Sequence, residues 1–309
     1  MKCRAMISII GVGRVGTSIA IQLVKRAIDD ILLIDVVQKR AEGEAMDLSQ
    51  MAAEGGHDVE IRGSNDFSKL KDSDLIIVPA GVARTAEMTR TDLLVKNMEI
   101  IRSISLKIKE SAPTSKVMMI TNPVDTMTFL ALKTTGFPRE RIFGMAGLLD
   151  SLRFKSILAP KLGMSYKSVQ ALVIGEHGEH MLPLIRFSSA NGIPLLELLS
   201  KEDLEMAKNE TIKIAAQVIA LKGSTAFAPS EAVATMAESI IMDKKMLIPT
   251  STLLNGEYGV DDVCIGVPII LGKEGVEKIV ELNLNQEEKA EFMSGVDSIR
   301  KNISNLNIP

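Results

Sequence analysis

The sequence predicts an α/β protein: a doubly wound parallel sheet followed by an α+β domain. In the first half, short apolar runs rich in β-forming residues alternate with longer helical patterns. Most of these runs are continuously apolar, as expected for strands covered by helices on both faces. The alternation stops after Gly147, where the helical stretches lengthen. We therefore predict a first domain at residues 1–147 and a second domain at residues 148–309.

The predicted strands of the first half share an apolar run followed by a turn-forming or polar residue. They are "MISIIGVG", "DILLIDVV", "DVEIRGS", "DLIIVPAG", "KVMMITNP" and "RIFGMAG". Helical patterns between them include Thr17–Arg26 and Leu93–Lys109. Crossovers between parallel strands of one sheet are almost always right-handed, so we expect right-handed connections between these strands.

The second half predicts longer helices and a group of late strands. A helix over "LLDSLRFKSILA" is expected to stop near Pro160, and one strand is expected over "VQALVIG". Further helices are predicted at Lys201–Lys222, over "SEAVATMAESIIM" and from Gln286 to Asn302, with strands over "MLIPTSTLL", "VCIGVPIIL" and "GVEKIVEL".

Composition excludes several classes of protein. The 309 residues are 46% hydrophobic and carry a net charge of -3, which favours neither nucleic acid nor a membrane surface as a partner. No apolar run approaches the roughly 20 residues of a membrane span. Two cysteines make neither a disulfide framework nor a zinc site, and a cytoplasmic location is predicted.

The stretch "GVGRVG" follows the first predicted strand and opens the first predicted helix. In a dinucleotide-binding turn, Gly11 would make the tight turn, Gly13 would admit a pyrophosphate, and Gly16 would allow close helix packing. The helix N-terminus would then face the phosphates. A glycine turn that merely joins a strand to a helix is the alternative.

Asp35 ends the second apolar run, "ILLID", about 20 residues further on, where an acidic residue would bind the ribose hydroxyls of a dinucleotide. A carboxylate there would repel a 2′-phosphate, so NAD is expected as cofactor rather than NADP. The alternative for Asp35 is a plain turn residue at the end of a strand.

Histidine is the best candidate for acid–base chemistry near neutral pH, and this chain has three. His57 lies in a polar loop and is expected to be solvated. His177 and His180 lie in "GEHGEH", where two glycines oppose a helix and the helical zinc-binding pattern is missing, so no metal site is predicted. A single general acid/base is the better interpretation.

Such a histidine needs a carboxylate to fix its tautomer. Asp150 and Arg153 lie three residues apart in "LLDSLRF", on one helix face and among apolar residues that would deny them solvent. The alternative is a local surface ion pair. Arg84 and Arg90, in "GVARTAEMTR", follow a buried strand, where an exposed basic loop is the alternative to a ligand site.

Asn122 in "ITNPVD" ends the next strand and can donate hydrogen bonds to a ligand, although a polar turn would serve equally well. The Asn122–Pro123 bond can be cis, which is the minority form of such bonds.

With these motifs in order, the chain resembles the malate/lactate dehydrogenase superfamily over nearly its whole length. The motifs "GVGRVG", "LLID", "GVARTAEMTR", "TNPVD", "GLLDSLRF", "GEHGEHMLP" and "KGSTAFAP" follow the family's order. The lactate-dehydrogenase-like malate dehydrogenases of prokaryotes are the most similar group. The resemblance implies a Rossmann domain, NAD as cofactor and hydride transfer to or from a small 2-hydroxy acid.

The resemblance also implies roles for single residues. His177 is expected to donate and accept the proton, oriented by Asp150. Arg153 is expected to grip the substrate's C1 carboxylate, since its planar fork suits two parallel hydrogen bonds. Arg90 is similar to the loop arginine that polarises the reacting carbonyl, and Asn122 to the residue that orients substrate near the nicotinamide.

Substrate choice is expected to depend on Arg84. The position resembles one where malate enzymes carry Arg and lactate enzymes carry Gln, and a second substrate carboxylate buried under a closed loop needs a cationic partner. Glu87 departs from the glycine usual in the family, and we hypothesise that it pairs with a loop arginine and slows closure. A lactate or other 2-hydroxymonocarboxylate dehydrogenase is therefore the alternative.

Other roles stay open on the sequence alone. A non-catalytic NAD-sensing module would need the glycine turn and Asp35 but not His177. Thr225 in "KGSTAFAP" is either a pocket residue or a packing residue. The resemblance suggests a homotetramer or homodimer, in which the helix over "GEAMDLSQMAA" lies at an interface or packs within the monomer.

Overall fold

The computed structural model describes residues 5–82 and 90–304, without the side chains of residues 90–92. Its α-helices are α1 (Arg14–Lys25), α2 (Gln38–Gly55), α3 (Arg90–Ser111), α4 (Val124–Thr135), α5 (Gly147–Leu162), α6 (Lys201–Lys222), α7 (Phe227–Ile241) and α8 (Gln286–Ser304). The strands of the first half are β1 (Met6–Ile10), β2 (Asp30–Ile34), β3 (Ile61–Ser64), β4 (Leu75–Val78), β5 (Lys116–Met119) and β6 (Ile142–Gly144).

The second half adds short strands and two long ones. They are β7 (Val169–Gln170), β8 (Val173–Gly175), β9 (Met181–Pro183), β10 (Ser189–Ala190), β11 (Ile193–Pro194), β12 (Met246–Asn255), β13 (Asp261–Gly272) and β14 (Gly275–Ile279).

The first six strands form a parallel sheet in the order β3-β2-β1-β4-β5-β6. This is the order of a doubly wound dinucleotide-binding sheet, so the predicted fold class is confirmed. The strand order reverses between β1 and β4, and in such sheets ligands bind beyond the carboxyl ends of the strands at this point.

Both faces of the parallel sheet are covered, which explains its continuously apolar strands. In β1, Ile7 and Ile9 pack into the core that α1, α2 and α7 share, whereas Met6 and Ile10 pack into the core beneath α3 and α4. Alternate residues of a strand point to opposite faces, so one five-residue strand serves two cores.

The sheet continues from the first half of the chain into the second. Gly144 of β6 pairs with Ser251 of β12, and β13 and β8 follow in antiparallel order. A Cβ on Gly144 would lie 3.1 Å from the Ser251 Cβ and 2.5 Å from the Thr128 hydroxyl, so the junction depends on a glycine. No helix in the described ranges combines the length and apolarity needed to cross a bilayer.

One local expectation was wrong and one needs a different cause. Helix α5 ends near Pro160, as expected, but it includes the proline and ends at Leu162, where Gly163 adopts a left-handed φ of 63° and its N–H caps the Pro160 carbonyl. A proline in the last turn removes only one hydrogen bond, and the glycine cap is the stronger stop signal.

The stretch "VQALVIG" is two strands rather than one. Strand β7 pairs with β10 in a small three-stranded sheet, whereas β8 pairs with β9 and β13 in the large sheet. The two residues between them carry the chain from one sheet to the other, and an apolar run alone does not reveal that change.

Candidate active site

The glycine-rich turn between β1 and α1 has the shape that the sequence predicts. Gly11 has a φ of 103°, and a Cβ there would lie 2.7 Å from the Ala80 backbone. A Cβ on Gly16 would lie only 2.0 Å from the Gly11 carbonyl oxygen, whereas a Cβ on Gly13 would contact nothing within 4 Å. Gly11 and Gly16 therefore keep the turn tight, while Gly13 leaves its outer side open.

Helix α1 begins directly behind this open side. Its N-cap, Gly13, provides no side-chain hydrogen bond, and the first turn holds no acidic residue. The amides of that turn and the positive end of the helix dipole are therefore suited to an anion such as a pyrophosphate. The residues present fit the phosphates of a dinucleotide.

Asp35 lies at the carboxyl end of β2 and is 8% exposed. Its Oδ2 accepts the Val12 N–H at 2.8 Å, and its Oδ1 accepts the Val37 N–H at 2.9 Å. The carboxylate thus links the glycine turn to the turn that follows β2. Each oxygen has a second lone pair, so the same group can accept a ribose hydroxyl.

The ends of β4 and β5 are joined by hydrogen bonds at the same edge of the sheet. The Thr121 hydroxyl donates to the Ala80 carbonyl at 2.6 Å. Asn97 of α3 accepts the Val82 N–H at 2.8 Å and donates to the Asn122 carbonyl at 2.8 Å. The Asn122–Pro123 bond is cis, the less common form that the sequence allowed. The side chain of Asn122 is exposed at this edge.

The central cluster joins His177, Asp150 and Arg153. His177 Nδ1 lies 2.7 Å from Asp150 Oδ2, and Arg153 Nη1 donates to Asp150 Oδ1 at 2.7 Å. A carboxylate only accepts, so Nδ1 carries a proton and the other ring nitrogen, Nε2, can exchange one. One buried carboxylate therefore holds both the imidazole and the guanidinium.

Burial rules out a surface ion pair at this place. The side chains of Asp150, His177 and Arg153 are 2%, 9% and 11% exposed. Burial lowers the pKa of His177, but the charge and hydrogen bond of Asp150 outweigh it, so the net pKa is raised above 6.5. Arg153 opposes that rise. The arrangement can hold a proton on His177 and bind a carboxylate through the remaining N–H groups of Arg153.

The backbone of this cluster is fixed by two residues that the sequence analysis missed. The Ser151 hydroxyl, next to Asp150 on α5, accepts the Val173 N–H at 2.9 Å and so ties α5 to β8. Asp125 of α4 accepts the His177 N–H at 2.8 Å. A polar residue inside an otherwise apolar helix pattern was the available signal, since a buried polar group needs a partner.

Asn97 was also missed. It is 2% exposed and lies in α3, where the sequence shows only a polar residue inside an amphipathic helix. Its two hydrogen bonds hold Val82, which follows β4, close to Asn122, which follows β5.

Several candidates lie apart from this cluster or beyond what the structure describes. Arg84 and Glu87 fall in residues 83–89, and Arg90 begins α3 with its side chain outside the described residues. His180 is exposed. His57 is half-buried just after α2 rather than fully solvated. Among the residues described, no group of three or more metal-ligating side chains is arranged around a common point.

Two family models match this chain. Residues 5–144 match the lactate/malate dehydrogenase NAD binding domain, and residues 148–307 match the lactate/malate dehydrogenase alpha/beta C-terminal domain. The predicted division at residue 147 stays a prediction.

Individual relatives agree over nearly full length. A malate dehydrogenase of Aeropyrum pernix is 42% identical over 302 residues, covering 97% of this chain and 98% of the relative. The apo structure of a Picrophilus torridus malate dehydrogenase has a TM-score of 0.95 at 39% identity, covering 99% and 98%. A Cryptosporidium parvum lactate dehydrogenase, solved with lactic acid and cofactor, has a TM-score of 0.95 at 32% identity and covers 100% of both chains. Fold, site geometry and sequence together establish that the chain belongs to the lactate/malate dehydrogenase family.

Proposed function

We propose that the protein is an NAD-dependent malate dehydrogenase that interconverts malate and oxaloacetate. Relatives named malate dehydrogenase are 38–44% identical to it over at least 97% of its length. The resemblance of Arg84 to the position that carries Arg in malate enzymes supports the same substrate.

The observation that supports the proposal most directly is that Asp150 contacts both His177 and Arg153. Its two oxygens hold a proton-exchanging imidazole and a carboxylate-binding guanidinium side by side. A 2-hydroxy acid bears its carboxylate on the carbon next to the carbinol. A site for such a molecule therefore needs both groups at a fixed, short spacing, which one shared buried anion provides.

The cofactor-binding part would use Gly11, Gly13, Gly16 and Asp35, with Asn122 beside the nicotinamide. The open side of the turn at Gly13 and the uncapped start of α1 suit the pyrophosphate, and Asp35 suits the ribose hydroxyls. The nicotinamide, when bound, supplies the hydride for ketone reduction and receives it in the reverse direction.

The chain's own side chains supply binding and proton transfer. Arg153 would bind the C1 carboxylate and Arg84 the second one, while Arg90 would stabilise negative charge on the reacting oxygen as the loop closes. Protonated His177 then donates from Nε2 to that oxygen. The Asp150 carboxylate stabilises the imidazolium before transfer.

In the direction of malate oxidation the proton moves the other way. His177 must be neutral, so that Nε2 can accept the hydroxyl proton. Its raised pKa favours the protonated form, which suits the reduction of oxaloacetate near neutral pH.

The deciding experiment compares oxaloacetate with pyruvate, using NADH and NADPH in turn. We expect a preference for oxaloacetate and NADH. Arg84→Gln should lower kcat/KM for oxaloacetate about 100-fold, since a lost charge-assisted pair of ~3 kcal/mol corresponds to two factors of ten. It should leave pyruvate turnover equal or better.

Arg300→Gln, a change on the exposed face of α8, is the matched control and should alter neither substrate. Equal rates with oxaloacetate and pyruvate in the unmodified enzyme would remove the malate assignment. A pyruvate preference would favour the alternative, a lactate dehydrogenase, to which the Cryptosporidium parvum structure gives specific support.

We further propose a cytoplasmic homodimer or homotetramer. Support comes from exposed large apolar side chains: Met46 on α2 is 68% exposed, Leu221 at the end of α6 is 88% exposed and Phe227 at the start of α7 is 72% exposed. Large exposed apolar patches often mark contact surfaces. Sedimentation of the purified enzyme at several concentrations tests the assembly, and a monomer at all of them contradicts it.

A further inference from the structure

A second buried carboxylate contacts His177, the proposed proton donor. Asp125 stands in the first turn of α4 and is 3% exposed. Its Oδ2 accepts the backbone N–H of His177 at 2.8 Å, across 52 residues of sequence. The imidazole of His177 meets Asp150 on α5, so the residue is held at its side chain and at its backbone by carboxylates from two different helices.

We propose that Asp125 is a positioning residue for the reaction, which fixes the backbone of His177 and supplies a second negative charge toward its imidazolium. The inference rests on the proposed function, because it takes His177 as the proton donor. Asp125 itself touches neither substrate nor reacting atoms and acts only through His177.

The geometry gives the segment around His177 two anchors. Glu176 accepts the Ser298 hydroxyl of α8 at 2.9 Å, and Asp125 holds the next residue. Asn122, the predicted substrate-orienting residue, lies three positions before Asp125 at the entry to α4. The same turn therefore sets the proton donor and the predicted orienting amide relative to each other.

A structural role alone does not require a carboxylate here. The hydrogen bond from the His177 N–H to Asp125 Oδ2 needs only an acceptor oxygen. Burial raises the pKa of Asp125 to about 6, and Ser251 and the His177 N–H only partly offset this. A neutral amide would accept the His177 N–H at a lower desolvation cost.

The negative charge of Asp125 acts on His177. The ionisable groups that face the Asp125 carboxyl are His177 and Glu176 from the catalytic segment and Cys264 from β13. The Asp125 charge raises the pKa of His177 in the same direction as Asp150, while Arg153 lowers it.

Two substitutions separate the hydrogen bond from the charge. Asp125→Asn keeps an acceptor and removes the charge, whereas Asp125→Ala removes both. We expect Asn to keep kcat at pH 8 within about threefold but to lower the pH midpoint of malate oxidation by about half a unit. Ala should lower kcat about 10- to 100-fold, with KM for NAD unchanged, because a displaced proton donor harms the chemical step.

Thr126→Val is the matched control. Its buried hydroxyl, on the same turn, has no hydrogen-bond partner among the described residues, so its loss should move neither kcat nor the pH midpoint. Circular dichroism and NADH binding check folding. If Ala does not fold, the midpoint of the Asn variant decides.

An unchanged pH midpoint in Asp125→Asn overturns the charge role, and full kcat in a folded Asp125→Ala overturns the positioning role. His177→Asn separates this inference from the proposed function. If that variant loses turnover while both Asp125 variants behave as wild type, only the inference fails. If it keeps turnover, the proposed function fails.

Discussion

The proposed nucleotide-binding edge and the proposed catalytic cluster are built in opposite ways. The edge consists of Gly11, Gly13, Gly16 and Asp35, which lie within 25 residues. The glycines act through backbone shape, and the Asp35 carboxylate accepts two backbone N–H groups. The cluster consists of Asp150, Arg153 and His177, whose charged side chains are at least 89% buried and span two structural elements.

The two regions therefore differ in which substitutions they tolerate. The edge should fail when a side chain is added at Gly11 or Gly16, because backbone atoms lie where the Cβ would stand. The cluster should fail when a charge is removed, because a buried ion that loses its partner is strongly destabilised. Substitutions in the two regions therefore test the two kinds of failure against each other.

Removing the imidazole should have the largest effect. His177→Asn should lower kcat for oxaloacetate reduction about 1,000-fold, since a positioned acid contributes roughly 10² to 10⁴ to the rate. NADH binding, measured by fluorescence titration, should be retained because the edge is untouched. His57→Asn, at the half-buried histidine after α2, is the control. A protein with no turnover to lose would instead be an NAD-sensing module.

Adding one methyl group to the edge should come next. Gly16→Ala places a Cβ 2.0 Å from the Gly11 carbonyl, so the turn must shift. We expect about 1–3 kcal/mol lower stability and about tenfold weaker NADH binding. Gly43→Ala is the control, because a Cβ there contacts nothing within 4 Å and α2 should gain stability. Unchanged NADH affinity in Gly16→Ala would break the comparison.

The pH profile reports the buried charges. Malate oxidation should rise with pH and reach half its maximum above pH 6.5, since His177 must be neutral and its pKa is raised. Asp150→Asn should move that midpoint down. The raised pKa also makes His177 stabilise the fold fully below pH 6.5, a contribution lost as pH rises through the folded-state pKa. A flat rate from pH 5.5 to 8.5 contradicts the assignment.

Cofactor choice should change least. Asp35→Ser removes the charge that repels a 2′-phosphate, and we expect the NADPH/NADH ratio of kcat/KM to rise about tenfold, or ~1.4 kcal/mol. The serine also loses one of two backbone contacts, so NADH binding weakens. Asp58→Ser, at an exposed loop position, should alter neither cofactor. An unchanged ratio would mean that Asp35 serves only as a brace for the turn.

The parts of the site that the sequence predicted are those set by the spacing of residues close together in the chain. The glycine turn, Asp35 and the pairing of Asp150 with Arg153 follow from spacing within one or two elements. Asp125, Ser151 and Asn97 were missed because no local spacing links them to the backbone groups that they bind, which lie 52, 22 and 25 residues away. A polar residue on a helix gives no sign of which distant amide it meets.

What the sequence determined by itself was the wound parallel sheet, the shape of its glycine turn and the ordered motifs of the family. These follow from hydrophobic period, glycine geometry and residue order, which are properties of neighbouring residues. The resemblance implied that Asp150 orients His177, but the packed structure was needed to show that the same carboxylate also holds Arg153 and that Asp125 accepts the His177 backbone N–H. The physical reason is that burial and charge pairing join residues far apart in the chain, so their energies exist only once the chain is packed.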